Sequence, residues 1–141
     1  MAMETIQLDI VSAEGEIFSG PVQTVVVPAL EGDIGVHPRH ASLLTMLRPG
    51  EVRVHPPDGP EQSFYVGGGA LEIQPKRITV LADTAARARD LDEAAALAAR
   101  QRAEEALASH VDKISYAEAQ AELARAVAQL KLIEKLRRVK S

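Results

Sequence analysis

The sequence predicts an α+β protein, with an N-terminal antiparallel β-sandwich over residues 1–84 and a C-terminal antiparallel two-helix hairpin over residues 85–141. Two observations predict it. All 9 Gly and all 8 Pro lie at or before Pro75. Inside a helix these residues are less favourable than Ala by about 1 and about 3 kcal/mol, so their confinement marks a turn-rich half followed by a helical one. The second observation is the period of the apolar residues, which is two in the first half and alternates between three and four in the second.

The strands follow in order. Ile6, Leu8 and Ile10 alternate with Gln7 and Asp9, as on a half-buried strand, and Val22 to Val27 is rich in β-branched residues. Val52 and Val54 flank Arg53, Phe64 and Val66 flank Tyr65, Leu71 and Ile73 flank Glu72, and Ile78 and Val80 flank Thr79. Gly20-Pro21, Pro49-Gly50, the run Pro56 to Pro60, and Gln74-Pro75-Lys76 supply the turns between them. Short strands at this spacing suggest a sandwich or barrel.

The helices start after Asp83. Asp90 and Glu93 form a capping-box pattern ahead of the alanine-rich stretch Leu91 to Ala108, and Ser109 to Asp112 offers a turn. Ser115 and Glu118 form a second box, from which a helix should run to about Arg138. Tyr116, Ala119, Leu123, Ala126, Leu130 and Ile133 trace its seam. Against that seam the first helix offers Ala94, Ala95, Ala98 and Ala99, with larger contacts at Leu91, Leu97 and Leu107. A buried Ala methyl contributes about 0.8 kcal/mol, against about 1.5 to 3 for Leu or Ile, so the hairpin is expected to detach or extend at modest cost.

Composition removes several functions. Without cysteine there are no disulfides, cysteine zinc sites or thiol nucleophiles. A net charge of -4 and 3% aromatic residues argue against nucleic acid as a partner. The start Met1-Ala2-Met3-Glu4 lacks the pattern of a secretory signal and no apolar run is long enough to span a bilayer, so a cytosolic, soluble chain is expected. Charge is divided: residues 1–83 hold 11 acidic and 5 basic side chains, residues 84–141 hold 9 and 11. Arg125, Lys131, Lys135, Arg137, Arg138 and Lys140 face only Glu134 at the end of the chain, a distribution that steers the last helix toward an acidic surface.

Three patterns invite chemistry. His37 and His40 could share a metal, but Pro38 between them opposes a common helical face and a further ligand such as His55 would be needed; loop packing is the simpler reading. Gly67-Gly68-Gly69 resembles a phosphate loop, yet strand-like residues follow where a helix should start, which favours a bulge or a tight strand crossing. Glu31 and Asp33 flank Gly32 and read as a solvated turn that meets a partner, not as catalytic carboxylates.

A family resemblance rests on ordered motifs across nearly the whole chain. Glu31-Gly32-Asp33-Ile34-Gly35-Val36-His37-Pro38-Arg39-His40-Ala41 with Leu43-Leu44-Thr45 is followed by Gly67-Gly68, Leu71-Glu72, Val80-Leu81-Ala82-Asp83, Asp90 to Ala94, Ala121 to Ala126, and Gln129-Leu130. Together they closely resemble the epsilon subunit of bacterial F-type ATP synthases. The resemblance implies a non-catalytic rotor subunit of the central stalk, peripheral to the cytoplasmic face of the bacterial plasma membrane, in a proton-driven complex. The resemblance also implies that the chain is not a dedicated homo-oligomer. By the same resemblance Glu31, Asp33, Arg39 and His40 meet gamma and the c-ring. The hairpin can lie folded or extend toward the alpha-beta hexamer and restrain ATP hydrolysis, with His110, Arg125, Lys131, Lys135, Arg137 and Arg138 facing the acidic loop of beta.

Some relatives bind ATP on the hairpin through a pattern of Ile or Leu, Asp, two variable positions, Arg, Ala. Leu91, Asp92 and Ala96 match it and Arg125 matches a second-helix arginine, but Ala95 stands in place of the first arginine. The resemblance therefore implies no tight cofactor and leaves weak ATP contact through Asp92 and Arg125 open. The alternatives are an unrelated adaptor with a β-sandwich and coiled-coil arm, and a small histidine-dependent metalloenzyme.

Overall fold

A computed structural model describes residues 4–109 and 112–140, with side chains to residue 139. The chain divides into two units, Met1–Arg87 and Ala88–Ser141.

The first unit is built from β1 (Ile6–Ser12), β2 (Gly15–Val22), β3 (Thr24–Ala29), β4 (Gly32–Val36), β5 (Leu43–His55), β6 (Gln62–Gln74), β7 (Arg77–Ala82) and β8 (Ala85–Arg87). The strand order is β2-β1-β7-β6-β5-β3-β4, with β8 pairing β6. All of these pairs are antiparallel except β1 with β7, which is parallel.

Two strands of 13 residues make the sandwich. The far half of β6, Gly69 to Gln74, pairs with β7 and with Leu43 to Leu47 of β5. Its near half pairs instead with β8 and with Gly50 to Val54. Pairing partners change at Pro49-Gly50 and Gly67 to Gly69, so the glycine run is a tight strand crossing and belongs to one continuous strand. Gly69 has φ 132°, and a Cβ there would collide with the Leu81 carbonyl oxygen. The core comes from the alternating positions: Leu8, Ile10, Val25, Val27, Val52, Val54, Phe64, Val66, Leu71, Ile78 and Val80 are all fully enclosed.

Sequence patterning missed β4 and β8 and most of β2. β4 carries glycines and one acidic residue in five positions, too few apolar side chains to show a period. β8 also moves the division between the units. The expected boundary after residue 84 falls before β8, whose Phe64–Arg87 and Val66–Ala85 pairings hold it in the sheet, with the Arg87 guanidinium 5.5 Å from the Phe64 ring centre.

The second unit opens with a 3-10 turn, Ala88–Asp90, then α1 (Glu93–Ala108) and α2 (Lys113–Lys140). Its caps differ from the expected boxes. Asp92 caps α1 by accepting the Ala95 amide at 3.2 Å, because Asp90 is already spent in the 3-10 turn. Asp112 caps α2, accepting the Ser115 amide at 2.9 Å, so Ser115 sits inside the first turn.

The seam also shifts. Ala96 and Ala103 of α1 and Ala119 and Ala126 of α2 are buried, each pair seven residues apart. The expected Ala94, Ala95 and Ala98 face solvent and Leu97 is exposed, since a stretch that is nearly all alanine carries no phase of its own. Tyr116 is exposed because it lies level with the end of α1 at Ala108. Leu132 is buried one residue off the seam, so α2 covers more than a single stripe. Arg102–Glu122 at 3.3 Å and Glu93–Arg137 fix the antiparallel alignment of the helices.

Candidate functional surfaces

Glu31 occupies the turn between β3 and β4, and Asp33 the start of β4. The Asp33 carboxylate meets the Arg48 guanidinium at 2.5 Å, and Arg48 also donates to the Ala29 carbonyl, which locks this turn onto β5. Glu31, Asp33, Ile34, Leu43 and Thr45 line a shallow cleft there. Arg39 and His40 lie beyond the other end of β4, about 13 Å away along the strand. Arg39 pairs with Glu4 at 2.7 Å, and His40 Nδ1 lies 2.6 Å from the Ala41 carbonyl. The four residues thus form two clusters.

Among the described residues no three His, Cys, Asp or Glu side chains gather as a metal site. His55 instead lies 2.9 Å from Glu61.

Strand register reveals a surface that periodicity did not. Met46 pairs with Ala70, Ala70 with Leu81, and Leu81 with Val11, so these four side chains form a row on the outer face of β5, β6, β7 and β1. Met46 is 54% and Leu81 53% exposed, Leu44 in the next row is 71% exposed, and Leu30, whose amide bonds to the Met46 carbonyl, is 60% exposed. Apolar surface gathered in this way marks an interaction site, whereas single exposed leucines are ordinary. The signal available in the sequence was that Leu43 to Leu47 is apolar on both faces of one strand.

Beside this row lies a polar one. Asp9 accepts from Ser19 at 2.7 Å, from Gln7 at 3.0 Å and from Arg77. Partial desolvation pushes its carboxyl pKa up, but the hydrogen bonds from Ser19 and Gln7 and the Arg77 charge outweigh it and hold the pKa below the usual aspartate value.

On α2, Lys131, Lys135 and Arg138 recur at i, i+4 and i+7 and share a stripe. Arg137 points elsewhere, to Glu93. Arg125 is half-buried. By the alignment of the two helices it lies level with about residue 100 of α1, roughly 12 Å along the axis from Asp92, which is engaged as a helix cap. His110 lies outside the described residues.

A sandwich with an apolar outer stripe, followed along the chain by a hairpin with a basic one, has the surface features of a two-module binding protein. Comparison with known proteins gives the family. The ATP synthase delta/epsilon chain beta-sandwich domain matches residues 5–88, and the delta/epsilon long alpha-helix domain matches residues 89–134. The chain is 61% identical to the ATP synthase epsilon chain of Nitrosococcus oceani, with 98% of each chain covered. It is 62% identical to that of Alkalilimnicola ehrlichii, covering 96% of this chain and 97% of the relative. The chain belongs to the ATP synthase delta/epsilon chain family, as a non-catalytic subunit of the complex.

Solved structures share the fold. A chain of the Euglena gracilis mitochondrial ATP synthase OSCP/F1/c-ring structure superposes with a TM-score of 0.69 at 19% identity, over 97% of this chain and 82% of that one. A chain of the Tetrahymena thermophila mitochondrial ATP synthase central stalk and c-ring structure gives 0.63 at 10% identity, over 94% and 99%. No helix among the described residues is long and apolar enough to cross a membrane.

Proposed function

We propose that this chain is a rotor subunit of the central stalk of a proton-translocating ATP synthase, seated on gamma and the c-ring through its sandwich, at the cytoplasmic face of the bacterial plasma membrane. The hairpin is its regulatory arm, which restrains ATP hydrolysis when it extends toward the alpha-beta hexamer. The observation that carries this reading is the contrast between the two units. The sandwich is closed by large aliphatic side chains and presents an apolar stripe; the fully buried positions of the hairpin are mostly alanine, Ala96, Ala103, Ala119 and Ala126 beside Leu132, with two exposed ion pairs across it. A seam whose fully buried positions are mostly alanine separates at lower cost than one closed by large aliphatic side chains, so the arm can open while the seat stays folded. The basic stripe Lys131, Lys135 and Arg138 suits the acidic loop of beta, and Glu31, Asp33, Arg39 and His40 suit the seat on gamma and the ring.

The test is ATP hydrolysis by the reconstituted complex containing either the full chain or a chain ending at Arg87. The shorter chain should still bind and should raise hydrolysis; unchanged hydrolysis would remove the arm's inhibitory role. Calorimetry at millimolar ATP addresses the nucleotide. Ala95 and the separation of Asp92 from Arg125 favour weak binding at most, and micromolar affinity would contradict that.

A further inference from the structure

The chain joins α1 to α2 at one end of the hairpin only, so the two helices part first at the other end, where the start of α1 meets the last turns of α2. Burial thins there. The buried seam of α1 begins at Ala96. Nearer the open end Leu91, Ile133 and Leu136 are only partly covered and, with Ala88, Arg89 and Arg137, line a shallow cleft. At its rim Arg137 donates to the Glu93 carboxylate, and Glu134 lies 3.9 Å from the same guanidinium. Glu93 stands in the first turn of α1 and Arg137 in the last turn of α2, so each also complements its own helix dipole. Arg137 is turned roughly 100 to 160° around the helix axis from Lys131, Lys135 and Arg138.

We propose that the Glu93–Arg137 pair is a latch that holds the hairpin folded and thereby opposes the restraint of ATP hydrolysis, a role opposite in sign to that of Lys131, Lys135 and Arg138. This rests on the reading of the hairpin as a restraining arm. The pair spans the two helices and is made only while they lie side by side, so it biases the arm toward its folded state. Its strength is modest, since the two side chains are 62% and 42% exposed. A contact of that kind shifts the balance between folded and extended arm by about twofold to fivefold, which tunes the arm without fixing it.

The experiment is a double-mutant cycle with Glu93→Gln and Arg137→Gln, which remove charge at little cost in helix propensity. In the isolated chain, amide exchange over residues 132–138 should quicken about twofold to fivefold in either single variant. The double variant should fall short of the product of the two, because the pair is lost only once. In the reconstituted complex each single variant should hydrolyse ATP more slowly than the wild type, whereas Lys131→Gln and Arg138→Gln should hydrolyse it faster. Exchange effects that multiply in full overturn the latch, leaving two independent helix-end charges, and unchanged exchange overturns it as well. Faster hydrolysis with Arg137→Gln would overturn it by assigning Arg137 to the acidic partner surface. If a chain ending at Arg87 leaves hydrolysis unchanged, the arm reading falls and takes the regulatory role with it, while the exchange cycle still decides whether the pair holds the hairpin together.

Discussion

At the scale of single residues, the sandwich is most sensitive where backbones meet. Gly69 combines φ 132° with a direct approach to the Leu81 carbonyl, whereas Gly59, at φ 101°, has open space around it. Gly69→Ala should cost about 3 kcal/mol or more and Gly59→Ala about 1 to 2, so the gap between their denaturation midpoints isolates the collision. Asp9 gives a pH-dependent counterpart. Its folded pKa lies below that of an unfolded aspartate, so its stabilising contribution is complete above the unfolded value and is lost as pH falls through the folded one. Asp9→Asn should therefore be less stable than wild type near neutrality, and the difference should shrink toward pH 2 in urea titrations. The glycine run was visible in the sequence as a bulge or a tight crossing, but the Asp9 network was not, because Ser19 and Arg77 reach Asp9 only through the register of three strands.

At the scale of elements, the hairpin shows how far periodicity reaches. Two helices, their direction and their alanine character were legible from the absence of Gly and Pro and from the seam residues Ala119 and Ala126. Which alanines of α1 face that seam was not, since neighbouring alanines are equivalent until a partner helix chooses among them. Ala103 is 1% exposed at the close approach. Ala103→Leu should overpack the seam, costing about 1 to 3 kcal/mol in the hairpin. Amide exchange should quicken in α1 and α2 while β5 and β6 keep their protection; uniform loss across both units would contradict two independent cores.

At the scale of the whole molecule, the division between units carries a further expectation. A chain ending at Thr84 loses β8, its pairing with β6 and the Arg87 contact with Phe64, all of which a chain ending at Arg87 keeps. The longer product should melt higher, and equal melting would mean that β8 adds nothing to the sheet. By itself the amino-acid sequence determined the two-part α+β plan, the strand-rich and helical halves, the basic end and the family resemblance, because composition and period are local properties that every residue reports. Tertiary structure alone decided the outer stripe of Leu44, Met46 and Leu81, the separation of Glu31 and Asp33 from Arg39 and His40, and the pairing of Arg137 with Glu93. Each depends on register or on chain reversal, which bring together residues that no local pattern relates.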